Sequence, residues 1–523
     1  MYRVFKQRLT QLSQADRKGT LSGGKKGIEK ESLRVDREGE IAQTPHPSSL
    51  GSALTHPYIT TDYSEALLEF ITPPFADVRE TFQFLCDIHQ FVYANLTSDE
   101  ILWATSMPCV LDEEHGAPIA RYGHSNVGTM KHVYRRGLEY RYGGAMQAIS
   151  GVHFNYSLPD SFWPVFQTCL KDDSLIQDFI SNSYFCLVRN FQRLGWLIPY
   201  LFGTSPAVCR SFLRNRPAGF AEFDAGTYFR PHATSLRMSD IGYKDKTQAN
   251  LKISYNHLDE YVASLTRAIE TPYPEYEQIG VVVDGEYRQL NANILQIENE
   301  FYSFVRPKQI ARSGEKPTLA LKRRGVQYVE VRALDVDAFG PLGVNEDQLR
   351  FLEAFLIFCL LQESPAIDPD EWEEFDYNQR MVASYGRDPS LALLQHGQKR
   401  SLRKWAKEIC EMMQGVCELL DESDPSRPYA KAVSVQAETA DNPEGTPSAR
   451  VLAEMWKAKE SFFAFAMRMS EKHERYFKGL KMSAKQQQHF EQVTQQSLTR
   501  QREIEESDEI SFEEYLKRYF AQS

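Results

Sequence analysis

The chain lacks the spacings that announce the commoner chemistries. Its eight cysteines, at 86, 109, 169, 186, 209, 359, 410 and 417, form no C-x-x-C pair, which argues against a dithiol redox centre or a zinc site. Most sit among apolar neighbours, as in Phe358-Cys359-Leu360, the setting of buried, reduced thiols. No G-x-S-x-G elbow or Cys/His nucleophile arrangement stands out. Gly23-Gly24-Lys25-Lys26 lacks the spacing of a phosphate-cradling P-loop. There is no excess of basic charge: 60 Lys and Arg stand against 71 Asp and Glu, a net charge of −11, which argues against a nucleic-acid surface. The longest apolar run, around Phe355 to Leu361, falls far short of the roughly 18 to 20 residues of a membrane span. Met1 to Leu21 is polar and mixed in charge, with no apolar h-region. A cytoplasmic chain with neither nucleic-acid nor membrane partners is expected, and no internal repeat is visible.

What is present is an ordinary globular composition, 42% hydrophobic and 25% charged over 523 residues. That is room for two to four average domains, or for one large catalytic domain with a helical annex. Several short segments alternate as strands do and carry chemistry on one face. In Gly27-Ile-Glu-Lys-Glu-Ser-Leu-Arg-Val35 a period of two points Glu29 and Glu31 the same way. Leu67, Glu69 and Ile71 share a face of a strand that stops at Pro73-Pro74. In Ile149 to Ser157, Val152, Phe154 and Tyr156 oppose His153, Asn155 and Ser157. Ile294 to Tyr302 alternates with Gln296, Glu298, Glu300 and Tyr302 on one side. In Gln327 to Asp335, Glu330 and Arg332 share a face.

Either glutamate segment alone is better read as a partly exposed strand with solvated acids. Five such segments gathered into one sheet reverse that reading, because buried carboxylates need a compensating charge. The expected architecture is therefore α+β, a single sheet with a polar concave face backed by helices.

The remainder reads as connections and helices. Residues 1–20 form a short polar helix, and 77–97 a helix whose His89 is a satisfied interface side chain rather than a ligand. Residues 121–147 concentrate arginine and tyrosine, serving either carboxylate recognition or a solvated helix face. Residues 174–202 read as one long buried helix, followed by a loop region to about 250 and a helix over 255–270. Beyond about 345 helices dominate (345–362, 399–420, 449–478), interrupted by a Pro/Ser/Asp/Glu-rich loop at 421–448. The Gln-rich stretch 485–506 is a polar helix.

The polar inventory suits oxygen-loving divalent ions. Glu29, Glu31, Asp62, Glu69, Glu298 and Glu330, with His153 as a nitrogen donor, exceed what one magnesium ion requires and fit two or more ions around a triphosphate. Arg237, Arg306, Lys308, Arg312 and Arg332 supply charge against phosphate oxygens. Composition and spacing thus reach a magnesium-dependent, phosphate-handling enzyme with a carboxylate-recognising pocket.

The same residues closely resemble the proteobacterial type of glutamate–cysteine ligase (γ-glutamylcysteine synthetase). The resemblance rests on Gly27 to Val35, Leu50-Gly-Ser-Ala-Leu-Thr-His56, Ile59 to Pro73, Ser106-Met-Pro-Cys109, Gln147 to Ser157, Ile198-Pro-Tyr-Leu-Phe-Gly203, Ala233-Thr-Ser-Leu-Arg237, Leu295 to Glu300, Arg312-Ser-Gly-Glu315 and Tyr328-Val-Glu-Val-Arg332. It spans about 20 to 365 and loosens after 370. Phe301-Tyr-Ser-Phe304 departs from the smaller residues of the family but keeps Tyr302.

The resemblance implies a glutamine-synthetase-like, antiparallel-rich sheet forming a funnel, as a catalytic domain over 1–370, with a mainly helical region packed on it over 371–523. It implies ATP- and magnesium-dependent ligation of the glutamate γ-carboxylate to the cysteine α-amine through γ-glutamyl phosphate, manganese being the alternative ion. The implied metal set is Glu29, Glu31, Asp62, Glu69, His153 and Glu330. The implied cysteine pocket is Tyr134, Arg135, Leu138, Gln147, Tyr243 and Tyr302. Arg237 and Arg332, with Glu29 and Glu330, would act on the reacting groups, and Arg306, Lys308 and Arg312 on the nucleotide. A monomer is expected, with glutathione a candidate feedback inhibitor. The rivals are a ligase for another amine, a metal-dependent hydrolase and a nucleotide-binding regulator without turnover.

Overall fold

The computed structural model describes residues 2–14, 19–109, 116–213, 218–242, 248 and 251–522. Its centre is an antiparallel sheet of seven strands among these residues. Five come early: β1 (Lys25–Asp36), β2 (Ile59–Thr61), β3 (Leu67–Ile71), β4 (Glu100–Leu102) and β5 (Gly151–Ser157). A separate three-stranded sheet follows, β6 (Ala207–Cys209), β7 (Ala221–Asp224) and β8 (Thr227–Phe229), then a hairpin, β9 (Val282–Val283) and β10 (Glu286–Tyr287). The last two strands of the large sheet are β11 (Val305–Lys308) and β12 (Tyr328–Asp335), and β13 (Ala392–Gln395) and β14 (Gln398–Ser401) form a second hairpin. Across the large sheet the order is β11-β12-β5-β1-β3-β2, with β4 beside the far end of β1.

Register separates the two faces. Glu29 lies opposite His153, Glu31 opposite Glu69, and Asn155 opposite Glu330. Directly opposed residues point to the same side of an antiparallel pair, so these groups share one face. The pairing from Glu29 to Leu33 against β3 is unbroken, so no bulge turns either carboxylate away.

The other face carries Ile28, Phe154, Val331, Phe70 and Val152, all fully buried. Helices Val78–Asn95 and Ile176–Leu194 lie on it, and the helix Glu346–Leu361 packs across both. Buried charge on this side of β1 comes from Lys26, Lys30 and Arg34; Lys30 is met by a histidine. Its Nζ lies 2.8 Å from His89 Nε2 while His89 Nδ1 meets Leu85 O at 2.8 Å, so His89 is satisfied there, as read from the sequence. Burial pushes the Lys30 ammonium down to about 7.

The C-terminal helices close the molecule. Leu402–Leu420 packs against Pro428–Asp441, and Phe462–Gly479 packs on Val78–Asn95. A buried Lys26–Glu353 pair at 2.9 Å, with Tyr429 donating to Glu353 at 2.6 Å, ties β1 to this layer. The boundary expected at 370 falls in the first turn of the helix Pro369–Tyr385. No helix among the described residues is long and apolar enough to cross a membrane.

Five local expectations need correcting. The expected loop 421–448 contains the helix Pro428–Asp441, whose proline sits in the first turn, where a missing N–H costs nothing. Residues 174–202 form two helices, Ile176–Leu194 and Leu197–Phe202. They break at Gly195-Trp196, since Pro199 cannot donate back to Gly195. The loop region after 203 holds β6–β8. Ile294–Tyr302 is not a strand: Glu298–Glu300 forms a 3-10 turn. Finally, Cys109 and Cys209 are joined by a disulfide with Cα atoms 5.3 Å apart, while the other six cysteines are free thiols. A pairing across 100 residues leaves no spacing signal in the sequence.

Candidate functional site

The polar face is built where β1, β3, β5 and β12 lie side by side. Ligand atoms of Glu29, Glu69 and His153 all fall within 4.8 Å of one another. His153 Nδ1 is 3.3 Å from Glu29 Oε2 and its Nε2 is 3.7 Å from Glu31 Oε1. That Nε2 is buried without a hydrogen bond. Asn155 Nδ2 donates to Glu29 Oε1 at 2.8 Å, and Gly151 N–H donates to Glu31 Oε2 at 2.5 Å.

The charges are graded across the sheet. Burial opposes ionisation of Glu330, but Lys308 at 3.2 Å and Arg332 at 3.3 Å, with His153 and Arg306, hold its pKa well below the usual range. Burial also opposes ionisation of Glu29, yet its bond to His153 keeps the pKa low. Burial raises Glu31. Glu69 is driven far upward by burial and then by the charges of Glu29, Asp62 and Glu31. Mutually repelling acids beside an imidazole nitrogen with no partner are the donor set of a divalent cation, so the residues fit one. Asp62 borders this group through its charge, and its backbone carbonyl accepts from Arg135 and from Tyr122.

The cations line the neighbouring edge. Arg306 lies opposite Glu330 in the register and donates to Asn299 O and Phe301 O. Arg237 is buried, with Nη2 donating to Arg332 O at 3.1 Å and Nη1 3.9 Å from Asp335. A Cβ at position 151 would lie 2.0 Å from Arg237 Nη2, so any larger residue there would displace that guanidinium. Arg312 stands apart: it is exposed, in a turn whose backbone N–H donates to Glu315.

A third group lies on the helix Asn126–Tyr142 and the segment leading to β11. Gln147 Nε2 donates to Tyr302 Oη at 3.1 Å, and the Tyr142 and Tyr302 rings meet edge-on at 6.2 Å. Tyr134 and Leu138 are on the same helix, and Arg135 stacks on the Tyr122 ring at 4.7 Å. Tyr243 lies outside the described residues.

Sequence reasoning missed the support beneath this group. Arg141 and Glu300 form a fully buried pair at 2.9 Å, Tyr142 donates to Glu300 at 2.8 Å, and Gln248 accepts from the Tyr302 N–H at 2.9 Å while donating to Glu300 O at 2.8 Å. The arginine–tyrosine concentration was the signal, but Tyr140 on the same helix is exposed and Arg136 pairs with Glu286 at the surface. One helix therefore answers to both readings of that stretch.

A model of the glutamate-cysteine ligase family matches residues 9–382. The chain is 50% identical over 522 residues to a glutamate–cysteine ligase of Alcanivorax borkumensis, covering 99% of each chain. It is 48% identical over 524 residues to that of Azotobacter vinelandii, covering 100% of this chain and 99% of the relative. Among solved structures it superposes on glutamate–cysteine ligase from Francisella tularensis in complex with AMP, with a TM-score of 0.90, 36% identity, and coverage of 95% of this chain and 97% of that one. A bifunctional glutathione synthetase from Pasteurella multocida shares the fold at a TM-score of 0.70 and 24% identity, over 91% of this chain and 55% of that one.

Proposed function

The chain belongs to the glutamate–cysteine ligase family and is an ATP-dependent ligase of glutathione synthesis; on that premise we propose how its residues divide the work. The observation that carries the assignment is the convergence of Glu29, Glu69 and His153 within 4.8 Å, flanked by Lys308 and Arg332 on Glu330. Glu29, Glu31, Asp62, Glu69, His153 and Glu330 would hold magnesium, or manganese in its place. Bound there, the ions neutralise phosphate oxygens of ATP.

Lys308, Arg306 and Arg312 are assigned to the nucleotide, and Arg237 and Arg332 to glutamate and the moving phosphoryl group. The glutamate γ-carboxylate attacks the γ-phosphorus of ATP, giving γ-glutamyl phosphate and ADP, and the two guanidinium groups meet the charge that develops on the phosphoryl oxygens. Tyr134, Arg135, Leu138, Gln147, Tyr243 and Tyr302 hold cysteine with its α-amine facing the acyl carbon. The amine attacks, phosphate leaves and the amide remains. The aromatic wall keeps water from the acyl phosphate meanwhile.

The site residues from β1 to β12 lie within 1–370, which we take as the catalytic region, with 371–523 as its helical support. We place the enzyme in the cytoplasm, where ATP is supplied. It acts as a monomer; its exposed large apolar side chains, such as Leu175, Ile310, Val435 and Trp456, are spread over different elements. Glutathione repeats the glutamyl and cysteinyl parts of the two substrates, which makes it the candidate feedback inhibitor. Phosphate release from ATP, with magnesium, glutamate and a panel of amines, tests the assignment. Release must depend on glutamate and be fastest with cysteine. Release without glutamate, or no preference for cysteine, would overturn it.

A further inference from the structure

The last stretch of the chain does not end on the helical region that precedes it. It returns to the helix Asn126–Tyr142 and follows it from its N-terminus. Glu505 accepts from His124 N–H at 3.1 Å, the Asp508 carboxylate accepts from Asn126 N–H, and Asn126 Nδ2 donates to Ile510 O at 3.0 Å. An acid accepting from the first N–H groups of a helix both caps it and opposes its dipole.

The helix Phe512–Phe520 then lays Leu516 and Tyr519 against Met130, Val133 and Leu290. These form a small apolar cluster beside the main core, and Tyr134 and Phe520 pack against both. The chain next reaches the opposite wall. Lys316 Nζ donates to Phe520 O at 2.8 Å and to Gln522 O at 3.1 Å, and Gln522 Nε2 donates to Gly314 O at 2.7 Å. Lys316 precedes the helix Pro317–Arg324, whose Thr318 donates to Glu298 at 2.5 Å. Glu298 opens the turn that runs on to Glu300 and Tyr302.

We propose that residues 508–522 are a positioning strap for the amine-acceptor pocket, holding the Tyr134 helix on one side and the Lys316–Glu298 segment that leads to Tyr302 on the other. This role rests on the assignment of Tyr134, Leu138 and Tyr302 to that pocket. Because Leu516 and Tyr519 belong to the small cluster, weakening their contacts loosens the spacing of the two walls and leaves the buried residues of the main core in place. The strap's hydrogen bonds run to Asn126, Gly314 and Lys316 rather than to the polar face of the sheet, so cysteine binding should respond and glutamate binding should not.

Steady-state kinetics of the full chain with magnesium and ATP test this, using Tyr519→Ala and Lys316→Met. The expected result is a roughly tenfold higher KM for cysteine with the KM for glutamate within twofold, a difference of about 1.4 kcal/mol. Tyr519→Phe, which keeps the ring, and Lys316→Arg, which keeps a donor, should restore the KM for cysteine. Should Tyr519→Ala fail to accumulate as folded protein, Lys316→Met, which breaks only the polar end, carries the same test. Tyr134→Ala separates the two ideas. If it raises the KM for cysteine and the strap variants do not, the strap is refuted while the pocket stands. If Tyr134→Ala leaves that KM unchanged, the pocket assignment fails and the strap with it. An equal rise in the KM for both amino acids would also refute the strap.

Discussion

Replacing Glu29 by glutamine separates the electrostatic work of the site from its contribution to the fold. Without a cation, burial and the charges of Glu29, Asp62 and Glu31 drive the Glu69 pKa far upward, so Glu69 is protonated and does not oppose Glu29 as an anion. Glutamine at 29 loses the charge on the acceptor of the Asn155 and His153 bonds, worth about 1.5–3 kcal/mol, but is spared the burial cost of that charge. The two effects oppose each other, so the metal-free variant should melt close to the parent. Ligand-linked stabilisation should differ: at a magnesium concentration a hundred times its Kd the parent gains about 2.7 kcal/mol. For 523 residues unfolding together that is about 2–3 °C, and Glu29→Gln should lose most of it. Loss of one anionic group that orients charge at the phosphates should lower kcat by about 100-fold or more. The assays are melting with and without magnesium and glutamate-dependent phosphate release. A variant that keeps both its magnesium-induced shift and its turnover would refute the placement of the ion.

Asn155→Ala removes the donor that orients Glu29 and should weaken magnesium affinity about 10- to 100-fold; unchanged half-saturation by magnesium would count against it. Burial and the nearby Lys30 charge push His473 down to about 3, whereas the unfolded chain protonates near 6.5. The unfolded state binds more protons in that window, so stability is lost as pH falls from about 6.5 towards 3, by up to about 1.4 kcal/mol per pH unit. His473→Gln should flatten that acid slope in denaturant titrations, and an unchanged slope would remove His473 from the account. Cys109→Ser opens a loop of 100 residues, worth about 4–5 kcal/mol in the chain-entropy model. It should melt below the oxidised parent and like the reduced one; equal melting in all three would show that the bond adds nothing.

Period-two alternation made β1, β5 and β12 legible, because it places Glu29 with Glu31, His153 with Asn155, and Glu330 with Arg332 without any long-range information. The pairing of Glu29 with His153, 124 residues apart, is set by register, which local patterning does not carry; family resemblance supplied it instead. The same alternation misled at Ile294–Tyr302. There Glu300 turns to Arg141 and Glu298 to Thr318, so two acids two residues apart serve different walls. Pro428 was read as an interruption although it opens a helix. Asp284-Gly285 is a hairpin turn with both residues at positive φ, a strong local signal that strands of two residues were too short to support. Cys109 and Cys209 met only through the fold.

The grading of charge across the polar face argues for where a cation must sit. At the β12 edge Glu330 already has Lys308 and Arg332 within 3.3 Å, so its ionised form is stable before any ion arrives. Those cations remain available to phosphate oxygens only if something else shares the load of the carboxylate. At the β3 edge Glu69 has the charges of Glu29, Asp62 and Glu31 against it, with Arg135 and Lys131 in its favour. Its ionised form therefore gains most from an added positive charge. A divalent ion entering the face is drawn first to Glu29, Glu69 and His153, and a second toward Glu330. Occupancy should then build from the β3 edge to the β12 edge, so that Glu69→Gln weakens the first binding event and Glu330→Gln the second in a calorimetric magnesium titration. A single binding event insensitive to Glu69 would refute that order.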